Sequence, residues 1–122
     1  VINAIKPNIE FKKLNEILKE HYAIELKKIG LISFDDEVSK YYYHSVSHML
    51  GLETHDVGRH NEGVLKEGMV FTVEPGLYIA EEEIGIRIED NIMVTKNGCE
   101  VLSKDIIRTV DEIENFMAGN KQ

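Results

Sequence analysis

The spacing of apolar residues changes once along this chain, and that change limits the folds open to it. In the first third, apolar side chains recur every three or four residues, as they do along one face of an α-helix. From residue 69 onward they alternate, or fall in short runs rich in β-branched and aromatic residues, as in strands. Helices followed by an antiparallel sheet and a last helix predict an α+β fold.

The first predicted helix spans residues 9–29. Pro7 and Asn8 are start signals, and Gly30 is a stop signal. The side chains predicted to face inward are Phe11, Leu14, Leu18, Tyr22, Leu26 and Ile29. This face is apolar along its whole length, so we expect the helix to pack on the sheet.

A second, shorter helix is predicted to run to about Tyr43. Ser33 or Asp35 would cap its amino end, because both side chains accept hydrogen bonds from free backbone N–H groups. Its predicted inward-facing residues are Phe34, Val38 and either Tyr41 or Tyr42.

The remaining elements are predicted from alternation and turn signals. Strands are predicted at 69–73, 77–79, 85–95 and 100–102. Lys96-Asn97-Gly98 predicts a hairpin with a type I′ turn, which needs positive φ at both central residues. Thr109 and Glu112 form a capping-box pattern for a last helix ending near Met117.

The strand predicted at 85–95 has two different faces. One face carries Ile86, Ile88, Asp90, Ile92 and Val94, and the other carries Arg87, Glu89, Asn91 and Met93. The apolar face is predicted to be packed. Arg87 beside Glu89 on an inward face is costly unless the charges are paired or bound to metal, so this side is predicted to line a polar cleft.

Length, net charge and cysteine content limit the number of domains, the classes of partner and the cellular compartment. At 122 residues and 14.0 kDa, residues 1–122 are predicted to form a single domain. The net charge of −8 argues against nucleic acid and anionic membrane, which both need a basic surface. The single cysteine, Cys99, cannot form an internal disulfide, which favours a cytoplasmic protein.

Histidine and glutamate residues of the second half predict a metal site. His44 and His48 have the spacing that places two imidazoles on one helix face, and His55 follows within twelve residues of His44. Glu74 stands between strand-like residues and a Pro-Gly bend. These are the side chains that bind zinc, manganese or iron, although each is also common at a protein surface.

Three segments carry a resemblance to a known family. They read H-S-V-S-H-M-L-G-L-E-T-H-D-V-G from residue 44, E-G-M-V-F-T-V-E-P-G-L-Y-I from residue 67, and G-I-R-I-E-D-N-I-M-V-T from residue 85. The chain resembles the C-terminal half of the Xaa-Pro aminopeptidases, metallopeptidases with the pita-bread fold. The resemblance implies that 1–122 is the C-terminal part of a catalytic domain, with helices packed on an antiparallel sheet.

The resemblance also implies roles for individual residues. The implied metal ligands are His48, Glu74 and Glu89, with Glu89 bridging two ions. The implied catalytic residues are His44, His55, Glu74 and Arg87, and Tyr78 is implied to lie in the same cleft. His44 and His55 would bind substrate and stabilise the tetrahedral intermediate, Glu74 would act as general base, and Arg87 would support a ligand. A carboxylate-rich site for two divalent ions favours manganese, with cobalt and zinc as alternatives.

The chain departs from the family pattern before His44. The family uses five ligands, two of them aspartates on strands, whereas Asp35 and Asp36 are adjacent residues at the start of a short helix. The chain also begins at Val1 without an initiator methionine. We therefore expect a C-terminal piece of a longer enzyme that is inactive alone, has less than a full set of metals, and self-associates as a homo-oligomer to cover apolar surface.

The implied activity of the parent enzyme is removal of the N-terminal residue from peptides with proline in second position. One alternative is prolidase, which cuts Xaa-Pro dipeptides. A second is a pita-bread domain that binds ligands without catalysis. A third is an α+β domain in which the same polar residues are structural.

Overall fold

The computed structural model describes residues 1–57 and 63–119. Its helices are α1 (Lys13–Lys28), α2 (Val38–Tyr41) and α3 (Val110–Gly119). Its strands are β1 (Val70–Val73), β2 (Gly76–Ile79), β3 (Ile84–Arg87), β4 (Asp90–Val94) and β5 (Cys99–Val101). The order of elements is the predicted α+β order. In the described residues, no helix combines the length and the apolar character needed to cross a membrane.

Helix α1 ends where the sequence predicts. Gly30 has φ +74°, its N–H donates to the Lys27 carbonyl (3.0 Å), and the Leu31 N–H donates to the Leu26 carbonyl (2.9 Å). Together these bonds satisfy the last helical carbonyls in a Schellman motif. Leu14, Leu18 and Leu26 are buried as predicted. Ile29 is 68% exposed, contrary to the prediction, because it is the residue at which the helix ends.

Helix α1 begins four residues later than predicted. The preceding residues pair with another segment: the Phe11 N–H donates to the Gly63 carbonyl (3.0 Å), and the Leu65 N–H donates to the Ile9 carbonyl (2.8 Å). These backbone groups are therefore not available to a first helical turn.

The second helix is shorter than predicted. The Glu37 carboxylate accepts the Ser33 and Phe34 N–H groups, both at 2.7 Å, so the first turn is closed by Glu37 rather than by Ser33 or Asp35. Phe34 is 71% exposed, which corrects its predicted inward position. The residues that do face inward are Val38, Tyr41 and Tyr42. Tyr42 is already extended, so the chain leaves the helix two residues before His44.

Strand β1 lies in an antiparallel sheet of order β1-β4-β5. Phe71 pairs with Ile92, and both side chains are fully buried in the apolar core, which also contains Leu14 and Leu18 of α1. The β4–β5 hairpin is confirmed, with the Thr95 N–H donating to the Gly98 carbonyl (2.9 Å). The predicted type I′ turn is wrong, because neither Asn97 nor Gly98 has positive φ.

The single strand predicted at 85–95 is two strands. β3 pairs with β2 in a separate two-stranded sheet, whereas β4 pairs with β1, so the chain changes partner at Ile88 and Glu89. Because the two strands belong to different sheets, one face does not continue through both. Ile92 is buried as predicted, but Ile86 and Ile88 are 58% and 47% exposed, which corrects their predicted packing.

The C-terminal segment is fixed by polar contacts rather than by a buried face. Thr109 and Glu112 form the predicted capping box, with the Thr109 N–H donating to Glu112 Oε2 (2.9 Å) and the Glu112 N–H donating to Thr109 Oγ1 (3.3 Å). Before the helix, Arg108 Nη1 donates to the buried carboxylate of Asp90 at 2.7 Å. No described residue of α3 is buried.

Candidate metal centre

Residues 46–50 form an additional extended segment beside β1. The Glu74 N–H donates to the Val46 carbonyl (2.8 Å), and the Thr72 N–H donates to the His48 carbonyl (2.9 Å). β1 is also paired with β4 along its whole length, Val70–Val73, so the segment lies on the other edge of β1. The spacing of His44 and His48, which would fit one face of a helix, does not mark a helix here. In an extended segment residues four apart also share a face, which explains why the spacing alone did not distinguish the two structures.

His48 and Glu74 form a buried pair at the centre of this arrangement. His48 Nε2 lies 3.4 Å from Glu74 Oε1, and the two side chains are 10% and 11% exposed. The Nδ1 of His48 lies 3.2 Å from the Met49 carbonyl oxygen, which only accepts hydrogen bonds. Nδ1 is therefore placed to donate to this oxygen, and Nε2 is the ring atom on the side of Glu74.

The donor atoms of this pair fit a single divalent ion. Two ligand atoms, each about 2.1 Å from one ion, lie about 3.0–3.4 Å from each other at octahedral or tetrahedral angles. The observed separation of 3.4 Å falls at the end of this range. The second oxygen of the carboxylate, Glu74 Oε2, lies 3.5 Å from Arg87 Nη1. Arg87 thus neutralises the side of Glu74 that faces away from His48.

Glu89 is not brought into this pair. It lies with Arg87 and Asp90 on a neighbouring cavity of about 240 Å³ that is otherwise lined mainly by isoleucines. Over residues 1–57 and 63–119, no three His, Cys, Asp or Glu side chains are close enough to hold a metal ion. The structure therefore assembles two of the three implied ligands, and Glu89 as a ligand stays a prediction.

The pair opens onto a cavity of about 340 Å³. Its lining residues are His44, Ser45, Ser47, His48, His55, Glu74 and Arg87. All four implied catalytic residues are in this set, although they come from segments up to 43 residues apart in the chain. Arg87 lines this cavity, whereas Glu89, predicted on the same side of 85–95, lines the neighbouring cavity.

His44 is held by Tyr78. His44 Nδ1 lies 2.8 Å from the Ser45 carbonyl oxygen, to which it can only donate, and Nε2 lies 2.9 Å from the Tyr78 hydroxyl. Tyr78 reaches this position by folding over Gly76, where a Cβ would come within 2.7 Å of the Tyr78 ring. A side chain at position 76 would therefore displace the phenol that orients His44.

His55 reaches the same cavity from the loop that follows residue 50. Its ring centroid lies 4.3 Å from that of His48, at an interplanar angle of 66°. The carboxylate of Asp56 accepts the Leu52 N–H (3.0 Å) and the Val57 N–H (2.7 Å), which closes this loop. Three imidazoles and the buried Glu74 carboxylate thus line one cavity.

A buried phenol lies behind the site. Tyr42 is 1% exposed, and its ring is 4.7 Å from the His44 ring. Burial raises the pKa of Tyr42, and the nearby Tyr22, Glu74 and Tyr78 raise it further. The phenol therefore stays neutral, and its ring packs against His44 without adding charge.

Two residues that contact the site, Asn15 and Thr72, are not among the predicted site residues. Asn15 of α1 accepts the Val46 N–H through Oδ1 (2.8 Å) and so ties the His44 segment to the helix. Thr72 accepts the His48 N–H through Oγ1 (3.0 Å). Both contacts join residues more than 20 positions apart, so no local pattern reveals Asn15. Thr72 lies on β1 two residues before Glu74, and an alternating pattern places both side chains on the same side.

Comparison with known proteins gives a consistent family signal. The sequence profile of metallopeptidase family M24 matches residues 1–96. A Xaa-Pro aminopeptidase of Streptomyces coelicolor is 36% identical over 138 residues, covering 96% of this chain and 29% of that protein. A Xaa-Pro dipeptidase of Pyrococcus furiosus is 39% identical over 106 residues, covering 84% of this chain and 27% of that protein.

A solved structure gives the same result for the fold. A candidate aminopeptidase P from Bacillus anthracis superposes with a TM-score of 0.93 at 62% identity, covering 98% of this chain and 28% of that one. This likeness confirms the predicted α+β fold as part of a pita-bread domain. The chain spans less than a third of the length of each of these relatives.

Proposed function

The chain belongs to metallopeptidase family M24, and we propose that it supplies His48, Glu74 and Glu89 to the metal centre of a Xaa-Pro aminopeptidase. The observation that carries the proposal is the buried His48–Glu74 pair, whose donor atoms lie 3.4 Å apart and face a cavity. The proposed substrate is a peptide with proline in second position, and the proposed reaction is hydrolysis of the bond before that proline.

The proposed cofactor is a pair of divalent ions. Manganese is favoured because the implied ligands are mostly carboxylates, and cobalt or zinc are the alternatives. When bound, divalent ions polarise a carbonyl oxygen and lower the pKa of water. Glu89 completes the ligands that this chain offers, and we propose that it bridges the two ions.

The side chains around the cavity have separate tasks in this proposal. Glu74 is the general base, since its carboxylate is buried and held between His48 and Arg87. His44 and His55 contact the substrate. The Tyr78 hydroxyl holds His44 Nε2 at 2.9 Å, so a substrate oxygen that takes the place of this hydroxyl would accept a hydrogen bond from a protonated Nε2.

Prolidase activity is the second candidate, since a Xaa-Pro dipeptidase is among the relatives. Both the aminopeptidase and the prolidase reaction hydrolyse the bond before proline. They differ in the length of the peptide that is cleaved. A non-catalytic binding module is disfavoured because His44, His48, His55 and Glu74 line one cavity. Purely structural roles for these residues are disfavoured by the same observation.

A chimera tests the activity. In the Bacillus anthracis relative, the segment that matches this chain is replaced by the chain itself, which the TM-score of 0.93 and the 62% identity allow. We expect the chimera to cleave a Xaa-Pro-Xaa tripeptide in the presence of manganese, as measured by release of the first amino acid. A folded chimera without activity, when the unaltered relative is active, would contradict the proposal. Cleavage of Xaa-Pro dipeptides alone would favour prolidase.

We expect the chain alone to have no peptidase activity. Only two implied ligands are assembled in the part of the chain that the structure describes, so the paired metal centre is incomplete. The measurement is a tripeptide assay with manganese at the protein concentration used for the chimera. Turnover that survives in the wild-type chain and is lost in His48→Ala would show that the centre is complete without further residues.

We also propose that the chain associates with copies of itself. Ile88, Ile106, Ile107 and Ile113 line one cavity, and all four are more than 40% exposed, which is a costly arrangement in water. Light scattering is expected to give a mass above 14.0 kDa that falls toward it in Ile113→Glu. Ile24→Glu, on the exposed side of α1, is the matched control. A mass of 14.0 kDa at every protein concentration would overturn the proposal that the chain self-associates.

A cytoplasmic setting stays a prediction, based on the single cysteine. Burial raises the pKa of the Cys99 thiol, so little of it is in the reactive thiolate form at neutral pH. The acidic net charge still argues against nucleic acid and anionic membranes as partners.

A further inference from the structure

The hydrogen bonds between residues 46–50 and β1 are irregular at one position. In a regular antiparallel pair, the His48 N–H would donate to the Thr72 carbonyl, in return for the bond that the His48 carbonyl accepts. Here the His48 N–H donates to the Thr72 hydroxyl oxygen (3.0 Å), and the Thr72 carbonyl accepts from the Ser47 hydroxyl (2.5 Å). A side-chain oxygen has thus replaced a backbone oxygen at the implied metal ligand.

This replacement gives the Thr72 hydroxyl a defined direction. A hydroxyl has one hydrogen, and its oxygen already accepts from the His48 N–H. The hydrogen is therefore free to donate to Glu74 Oε1, which lies 3.4 Å away. That oxygen is the one that faces His48 Nε2. One hydroxyl, fully buried, thereby touches the main chain of one implied ligand and the side chain of the other.

We propose that Thr72 is a positioning residue that holds His48 and Glu74 in register with each other and so sets the metal affinity of the pair. The effect on metal affinity rests on the proposed function. The contacts of Thr72 with His48 and Glu74 do not depend on it. The backbone bond fixes how far His48 projects from the sheet edge. The bond to Oε1 fixes the rotation of the carboxylate, and with it the lone pair that faces the cavity.

The test uses the whole chain and three variants. Thr72→Val keeps the β-branched shape and removes the hydroxyl, whereas Thr72→Ser keeps the hydroxyl. Thr95→Val is the matched control, because it makes the same chemical change just after β4, outside the cavity. Manganese affinity is measured by calorimetry at a temperature at which each variant is folded. Should Thr72→Val not fold, Thr72→Ala replaces it.

We expect Thr72→Val to weaken manganese binding about 10- to 100-fold, the usual loss when a group that orients a ligand is removed. Thr72→Ser and Thr95→Val should stay within about threefold of wild type, since neither removes the orienting hydroxyl. Equal affinity in Thr72→Val and Thr95→Val would overturn the proposal.

A second readout separates this inference from the proposed function. Hydrogen exchange of the His48 amide is measured without metal, and it should be faster in Thr72→Val alone, because that amide loses its acceptor. If wild type binds no manganese, the metal site fails, while faster His48 exchange still supports the positioning contact. If the His48 amide exchanges equally in all variants, Thr72 does not hold His48 and the inference is wrong.

Discussion

Replacing Glu74 with glutamine is expected to lower kcat/KM of the chimera for Xaa-Pro peptides about 10³-fold or more, the range of a lost general base. The amide has nearly the shape of the carboxylate but accepts no proton and binds cations weakly. It also loses the charge that faces Arg87 Nη1 at 3.5 Å. The measurement is steady-state kinetics on the purified chimera, with thermal unfolding to show that it is folded.

The matched control is Glu82→Gln, which makes the same change on an exposed turn between β2 and β3. It should keep activity within about threefold, as surface changes far from a site usually do. Glu74→Gln with activity close to that of the control would exclude Glu74 as base and as ligand.

Phe71→Ala is expected to lower the free energy of unfolding by about 3–5 kcal/mol, the usual cost of truncating a buried aromatic residue. Phe71 is fully buried in the middle of β1, and its ring lies edge-on to that of Phe11 with centroids 5.1 Å apart. A domain of this size is stable by only about 5–15 kcal/mol, so the variant is close to unfolding. Urea denaturation followed by circular dichroism measures the change.

Phe34→Ala is the control for that experiment. Phe34 is 71% exposed, so its loss should change the free energy of unfolding by no more than about 0.5 kcal/mol. Since β1 carries Thr72 and Glu74 directly follows it, we expect Phe71→Ala also to weaken metal binding. Equal stability of the two variants would mean that the core lies elsewhere.

The sequence predicts the local elements well, because their signals lie in neighbouring residues. The Gly30 stop and the Thr109–Glu112 capping box are each encoded within a few positions, and both are present. The exposure of Ile29, Phe34 and Ile86 was not predictable in the same way. Each lies at the end of an element or in a strand that changes partner, where the periodic pattern stops describing the environment.

The candidate site shows the same division. Residue types and the resemblance identify His44, His48, His55, Glu74 and Arg87, and one cavity contains all five. The extended segment that carries His48, and the contact between Thr72 and His48, depend on pairing between segments 24 residues apart. Such pairing is settled by tertiary contacts, so a spacing of four residues fits a helix and a strand equally well.

The most direct test of the metal centre is a manganese titration of the chain by calorimetry, with His48→Ala and His21→Ala beside wild type. His21 is an exposed histidine of α1 that lies outside the metal cavity, so it controls for the loss of any imidazole. The proposal predicts one ion per chain in wild type and His21→Ala, and no measurable binding in His48→Ala. Equal binding by wild type and His48→Ala, or none by wild type, would contradict it.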